Sequence, residues 1–184
     1  MKNNILYKII FLFLIFQNTS IADEREKILS ELIKTKSLKF NFEQKTNEKK
    51  EQGLCYLNFP GLLRCEYKDS KQKELIINKS RLAITQKRYD KTLFYSIKKS
   101  PFIKILNKKY LIQLISTSEL KFEDNLIQLT SSNDKERITI LFNKSDFNLV
   151  GWEILDQFQN KIIFLIDILS INESFDLSMF EIPS

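Results

Sequence analysis

Cys55 and Cys65 are the only cysteines in the chain, and histidine is absent. These two facts narrow the chemistry more than any motif does. Without histidine the commonest general base is missing, along with the Ser-His and Cys-His nucleophile pairs and most zinc sites. There is no Gly-rich phosphate loop and no HExxH or CxxC spacing, so no nucleotide, metal or other cofactor is expected, and the chain does not read as an enzyme. Carboxylates are scattered among lysines as surface charges. What remains is a disulfide and apolar contact. The cysteines flank Phe59-Pro60-Gly61, where proline fixes φ and glycine accepts positive φ, a turn joining the arms of a β-hairpin. With a three-residue loop the two thiols face each other across the strands and suit a disulfide. With a two-residue loop the register moves by one, they miss, and both stay as buried thiols. The hairpin arms carry apolar side chains on both faces, which a hairpin wet on one side would not tolerate. A second layer of protein or an apolar ligand must cover them.

The elements that position this hairpin follow from periodicity. Met1 to Ala22 reads as a secretory signal: Lys2 and Lys8, an apolar run from Ile9 to Phe16 too short to span a bilayer, then small residues at Ser20-Ile21-Ala22. Cleavage before Asp23 would leave a single domain, residues 23–184. Position 23 is not cysteine, so no acyl anchor is expected there. Asp23 to Lys36 is predicted as an amphipathic helix with Ile28, Leu29, Leu32 and Ile33 on one stripe and two acidic residues at its positive end. Leu38, Phe40 and Phe42 then alternate with polar residues as a half-buried strand. Strands over 48–58, 62–68, 74–78, 81–85 and 92–97 continue an antiparallel meander. Pro101 to Lys108 is a second short helix, with Ser100 as its N-cap and Phe102, Ile105 and Leu106 on one face. Tyr110 to Ile115 fits helix or strand. Five more strands run from Leu120 to Leu169, with turns at Asn143–Asp146 and Asp156–Asn160. The net charge of +6 reads as a solvated basic surface, with no nucleic-acid motif. The expected architecture is mainly β (α+β): a strongly curved antiparallel sheet whose concave side is capped by both helices.

In order and spacing the chain resembles the LolA family, periplasmic carriers of outer-membrane lipoproteins, over essentially all of its length after the signal. Ser37-Leu38-Lys39-Phe40-Asn41-Phe42-Glu43-Gln44-Lys45 is similar to the family's first strand, with its F-x-Q ending. Gly53-Leu54-Cys55-Tyr56, Phe59-Pro60-Gly61 and Leu63-Arg64-Cys65-Glu66-Tyr67 resemble G-x-x-W, R-P-x and F-R-W-E-Y. Ser100-Pro101-Phe102 with Leu106 resembles the T-P-x-x-x-L helix; Asp156, Asn160, Asn172, Phe175 and Phe180 resemble the closing pattern. The resemblance implies an incomplete β-barrel with a lid of short helices. It also implies a periplasmic, monomeric carrier that binds the acyl chains of lipoproteins and shuttles them from inner to outer membrane. The implied partners are acylated lipoproteins, an inner-membrane lipoprotein-releasing transporter, and an outer-membrane receptor or the membrane itself. A lipid-sensing or adaptor module of the same fold is the alternative. Where well-studied members have an arginine that helps latch the lid, this chain has Phe59, which is expected to hold the lid by apolar contact. Candidate lipid-binding residues are Leu38, Phe40, Phe42, Leu57, Phe59, Leu63, Leu75, Ile77 and Phe94 on the sheet, with Ile28, Leu32, Phe102, Ile105 and Leu106 on the lid.

Overall fold

A computed structural model describes residues 18–133, 136–155 and 160–183. The expected signal sequence lies outside the described residues up to position 17, as does most of the expected turn Asp156–Asn160. Helix α1 (Asn18–Lys34) is followed by β1 (Ser37–Thr46), β2 (Lys49–Asn58), β3 (Leu62–Tyr67), β4 (Lys73–Asn78), β5 (Arg81–Gln86) and β6 (Lys91–Ser96). Two short helices, α2 (Phe102–Leu106) and α3 (Lys108–Thr117), then lead into β7 (Glu119–Glu123), β8 (Leu126–Ser132), β9 (Arg137–Asn143), β10 (Leu149–Leu155) and β11 (Lys161–Ile171).

All eleven strands form one antiparallel, curved and unclosed sheet in the order β6-β5-β4-β3-β2-β1-β11-β10-β9-β8-β7. The chain walks outward from β1 to one edge, crosses over through both short helices, and walks back to the middle, where β11 joins β1. That single non-sequential pairing is long: Leu38 lies opposite Ile171 and Thr46 opposite Ile162. Asn172, in a left-handed turn after β11, ties the seam to α1. Its side-chain amide donates to the Lys34 carbonyl at 3.2 Å and its side-chain oxygen accepts from Lys36 N at 2.5 Å.

Alternation assigns the faces. Leu38, Leu57, Leu63 and Ile77 are register partners in turn, and so are Phe40, Cys55, Cys65 and Leu75; all point to the concave side. Phe40, Ile77, Ile127, Leu129 and Ile140 are fully buried there. The convex side is covered in part by the tail: Phe175 packs edge-on to Tyr56 at 5.6 Å, and Phe180 is wholly buried.

Four expectations about helices need correction. The first helix is already formed at Asn18, so Asp23 and Glu24 sit inside it, with no acidic residue in its first turn. Of its expected stripe, Ile28 and Leu32 are buried, Leu29 packs partly, and Ile33 is 60 % exposed. The second helix stops at Leu106, because Asn107 turns extended and its side chain accepts from the Lys109 and Tyr110 amides, starting α3. Ser100 Oγ accepts from Phe102 N at 3.3 Å, but Pro101 occupies the cap position itself.

Candidate functional site

The hairpin has a three-residue loop, with Asn58 opposite Leu62, and so Cys55 lies opposite Cys65. The two are joined as a disulfide with Cα atoms 4.1 Å apart. Both are buried on the concave side. Gly53, two residues earlier, is where the sheet has no room for a side chain. A Cβ there would meet the Glu66 carbonyl oxygen at 2.1 Å and the Phe42 ring at 2.6 Å. Glycine at this point lets the Phe42 ring lie flat across the strand.

Phe42 is one rung of an aromatic ladder that crosses the concave face. Phe102 on α2 lies against Trp152 at 5.7 Å, Trp152 stacks on Phe164 at 4.5 Å, and Phe164 stacks on Phe42 at 4.9 Å. Phe42 then meets Tyr67 edge-on at 4.9 Å. Offset and edge contacts of this kind add to the area buried. Beside the ladder, beneath the N-terminus of α2, is a cavity of about 350 Å³. Leu63, Cys65, Leu75 and Ile84 form one wall, Trp152, Ile154, Ile162 and Phe164 the other, and Pro101 with Phe102 the roof. Most of the rest of the concavity is filled: Ile105, Leu106, Leu111 and Ile115 from the two short helices are fully buried.

The helices are held down at several points. The Gly61 amide donates to the Leu106 carbonyl at 3.0 Å, so the hairpin turn touches the end of α2. Lys104 pairs with Glu136, the residue just before β9. Helices α1 and α3 exchange cations at their negative ends. Arg25 donates to the Ile115 carbonyl and, at 2.9 Å, to the Ser118 carbonyl. Lys108 donates to the Ile33 carbonyl at 2.9 Å and the Thr35 carbonyl at 2.5 Å. Burial, then the charge of Lys36, pushes the Lys108 ammonium down from its ordinary value. Phe59 sits in a second, smaller cleft with Leu32, Leu38 and Leu111, its ring 5.5 Å from the Lys108 ammonium.

One end of the main cavity is polar. Gln44, Glu51, Tyr67 and Lys73 line it. Lys73 lies 3.6 Å over the Tyr67 ring and pairs with Glu51, which also pairs with Lys49 at 2.8 Å. Burial alone would raise the Glu51 carboxyl, but hydrogen bonds from the two lysines outweigh it and hold it below its ordinary value. Burial, reinforced by Glu51 and Asp69, pushes the Tyr67 phenol well up; its hydroxyl donates to Gln44 at 3.3 Å.

Of the residues singled out from sequence, Leu63, Leu75 and Phe102 stand on the cavity wall or roof. Leu38, Phe59 and Leu32 line the smaller cleft. Phe40, Phe42, Leu57, Ile77, Ile28, Ile105 and Leu106 are packed core. Phe94 is corrected: it pairs with Ala83, which pairs with Ile76 and so with Arg64, on the convex face, where it is 54 % exposed. Its neighbours Leu93 and Tyr95 are the inward ones. Trp152, Phe164, Ile154 and Ile162 were missed. The alternation of the last strands marks them as inward, but only the β1–β11 seam brings them opposite Leu63 and Leu75.

One solved structure shows the same fold, and two others are similar more loosely. A chain of the Pseudomonas aeruginosa MucA/MucB complex superposes with a TM-score of 0.50 at 12 % identity, over 88 % of this chain and 61 % of that one. The present chain thus spans about three-fifths of that relative's length. The Mycobacterium tuberculosis lipoprotein LppX gives 0.44 at 12 % identity, covering 86 % of this chain and 98 % of that chain. A LolA superfamily protein from Nitrosomonas europaea gives 0.41 at 5 % identity, covering 79 % and 89 %. No curated protein matches significantly. Among the described residues no helix is long and apolar enough to cross a membrane. Residues 33–183 match the family model for the outer membrane lipoprotein carrier protein LolA, and the chain therefore belongs to the LolA family.

Proposed function

We propose that this protein is a periplasmic carrier that takes acyl chains of lipoproteins into the concave cavity and delivers them to the outer membrane. The observation that carries the reading is the cavity itself: a hollow of about 350 Å³, walled by leucine, isoleucine and aromatic side chains and roofed by a short helix. Its size falls within the range of roughly 300–1,000 Å³ usual for small-ligand sites. Each buried CH₂ contributes about 0.8 kcal/mol, so a cargo with several long chains would bind too tightly to release if it were wholly enclosed. A hollow at the small end of the range takes up only part of such a cargo while the helices stay down. Further uptake requires α2 and α3 to move, and breaking their tethers offsets part of the binding energy. Family membership, which describes a carrier and not a catalyst, supports the same reading.

Native mass spectrometry of the full chain purified from the periplasm tests it. The expected result is a fraction carrying bound acylated mass, released when Leu63 or Trp152 is replaced by a charged residue in a variant that remains folded. Empty protein under all loading conditions would refute it. A second reading, an adaptor that binds another protein, is favoured by the fold shared with a chain of the MucA/MucB complex. In that case the co-purifying mass is a polypeptide without acyl groups.

A further inference from the structure

The polar end of the cavity adjoins a second hollow at the open end of the hairpin, of about 480 Å³, and the two share Glu51, Tyr67 and Lys73. The outer hollow is lined by Lys49, Lys50, Lys68, Lys71 and Lys73. Its two carboxylates are already engaged. Glu51 holds Lys49 and Lys73. Asp69 accepts from the backbone amides of Lys71 and Lys73, both at 3.0 Å. Lys50 is shared with Glu43 at 3.6 Å. Among the described residues no carboxylate pairs with Lys68 or Lys71. A mostly apolar cavity therefore borders a hollow with surplus positive charge, and the junction is the Lys73–Tyr67 pair.

We propose that this hollow receives an anionic headgroup, a phosphate ester or carboxylate, of a single lipid whose acyl chain lies in the cavity. The inference rests on the cavity being a lipid site and goes further, because acyl chains alone need no charge beside them. Lys73, only 17 % exposed, is fixed by Glu51 and the Tyr67 ring at the boundary. Lys68 and Lys71 supply the outer charge. A ligand with a neutral or cationic end leaves that charge unmatched.

Trp152 is the only tryptophan, and it lines the cavity. Its fluorescence therefore reports occupancy directly. The test compares quenching of the full chain by phosphatidic acid and by phosphatidylcholine bearing the same short brominated acyl chains, below their micelle concentrations. The expected result is quenching by both, with phosphatidic acid about tenfold tighter at low salt. That preference should be lost in Lys68→Glu/Lys71→Glu, whose two sites are exposed, while phosphatidylcholine affinity stays unchanged. Equal affinities for the two lipids, or a preference that survives the double substitution, overturn the headgroup assignment and leave the cavity reading intact. Quenching by neither lipid sinks the cavity reading as well. Inorganic phosphate should compete with phosphatidic acid only at far higher concentration; equal potency would mean a free-anion site. Binding to anionic vesicles without quenching would mean a surface that docks on membranes, and would also overturn the assignment.

Discussion

At the scale of single residues, the charges that matter are those aimed at carbonyls and at the cavity. Arg25 and Lys108 each cap the other helix, and a charged donor on such carbonyls contributes on the order of 1–2 kcal/mol. Arg25→Ala and Lys108→Ala should each lower the stability measured by urea unfolding by that amount, and an unchanged midpoint would show the caps to be idle. Glu51 gives a pH dependence. Its carboxyl titrates below its ordinary value when folded and at that value when unfolded. The stability it contributes is therefore complete above the ordinary value and is lost as pH falls through the lower, folded one. Glu51→Gln should flatten the acid limb of a plot of urea midpoint against pH, and an identical limb would rule out Glu51 as its source. Cys55 and Cys65 close a short loop, so reduction should cost about 2–3 kcal/mol through the greater freedom of the unfolded chain. Thiol titration under denaturing, non-reducing conditions should find no free thiol.

At the scale of elements, the hairpin and the crossover helices set the cavity. Gly53→Ala would drive a methyl into the Glu66 carbonyl and the Phe42 ring, so it should destabilise by at least about 2 kcal/mol and disturb the ladder from Phe42 to Trp152. A near-UV circular dichroism spectrum reports both, and an unperturbed aromatic signal would be unexpected. The hairpin was legible in the sequence because its signals are local: a Pro-Gly turn, alternation in both arms, and two cysteines whose meeting depends on loop length alone. The strand count was nearly legible for the same reason. Face assignment failed at Phe94 because Leu93, Phe94 and Tyr95 are all large and apolar, so composition gives no alternation to follow; pairing to Ala83 decides it. Tyr110 to Ile115 fits either period in sequence, and it is the Asn107 cap that makes it a helix. Trp152 and Phe164 were beyond reach because the β1–β11 seam joins residues far apart in sequence. The polar end was hidden for a similar reason: Gln44, Glu51, Tyr67 and Lys73 come from four strands, and each alone reads as a surface residue.

At the scale of the whole molecule, the sheet has two free margins, β6 and β7, and residues 97–118 between them carry both α2 and α3. The roof of the cavity is thus also the only covalent link between the two margins. Lifting the roof to admit cargo pulls on both, and the curvature of the sheet must answer. A distance measured between labels at Lys91→Cys and Lys121→Cys should therefore shift when lipid is bound, although neither site lines the cavity, whereas a fixed distance would mean that loading is confined to side chains. A partner protein resting against either margin would in that way distinguish a laden molecule from an empty one without touching what it carries.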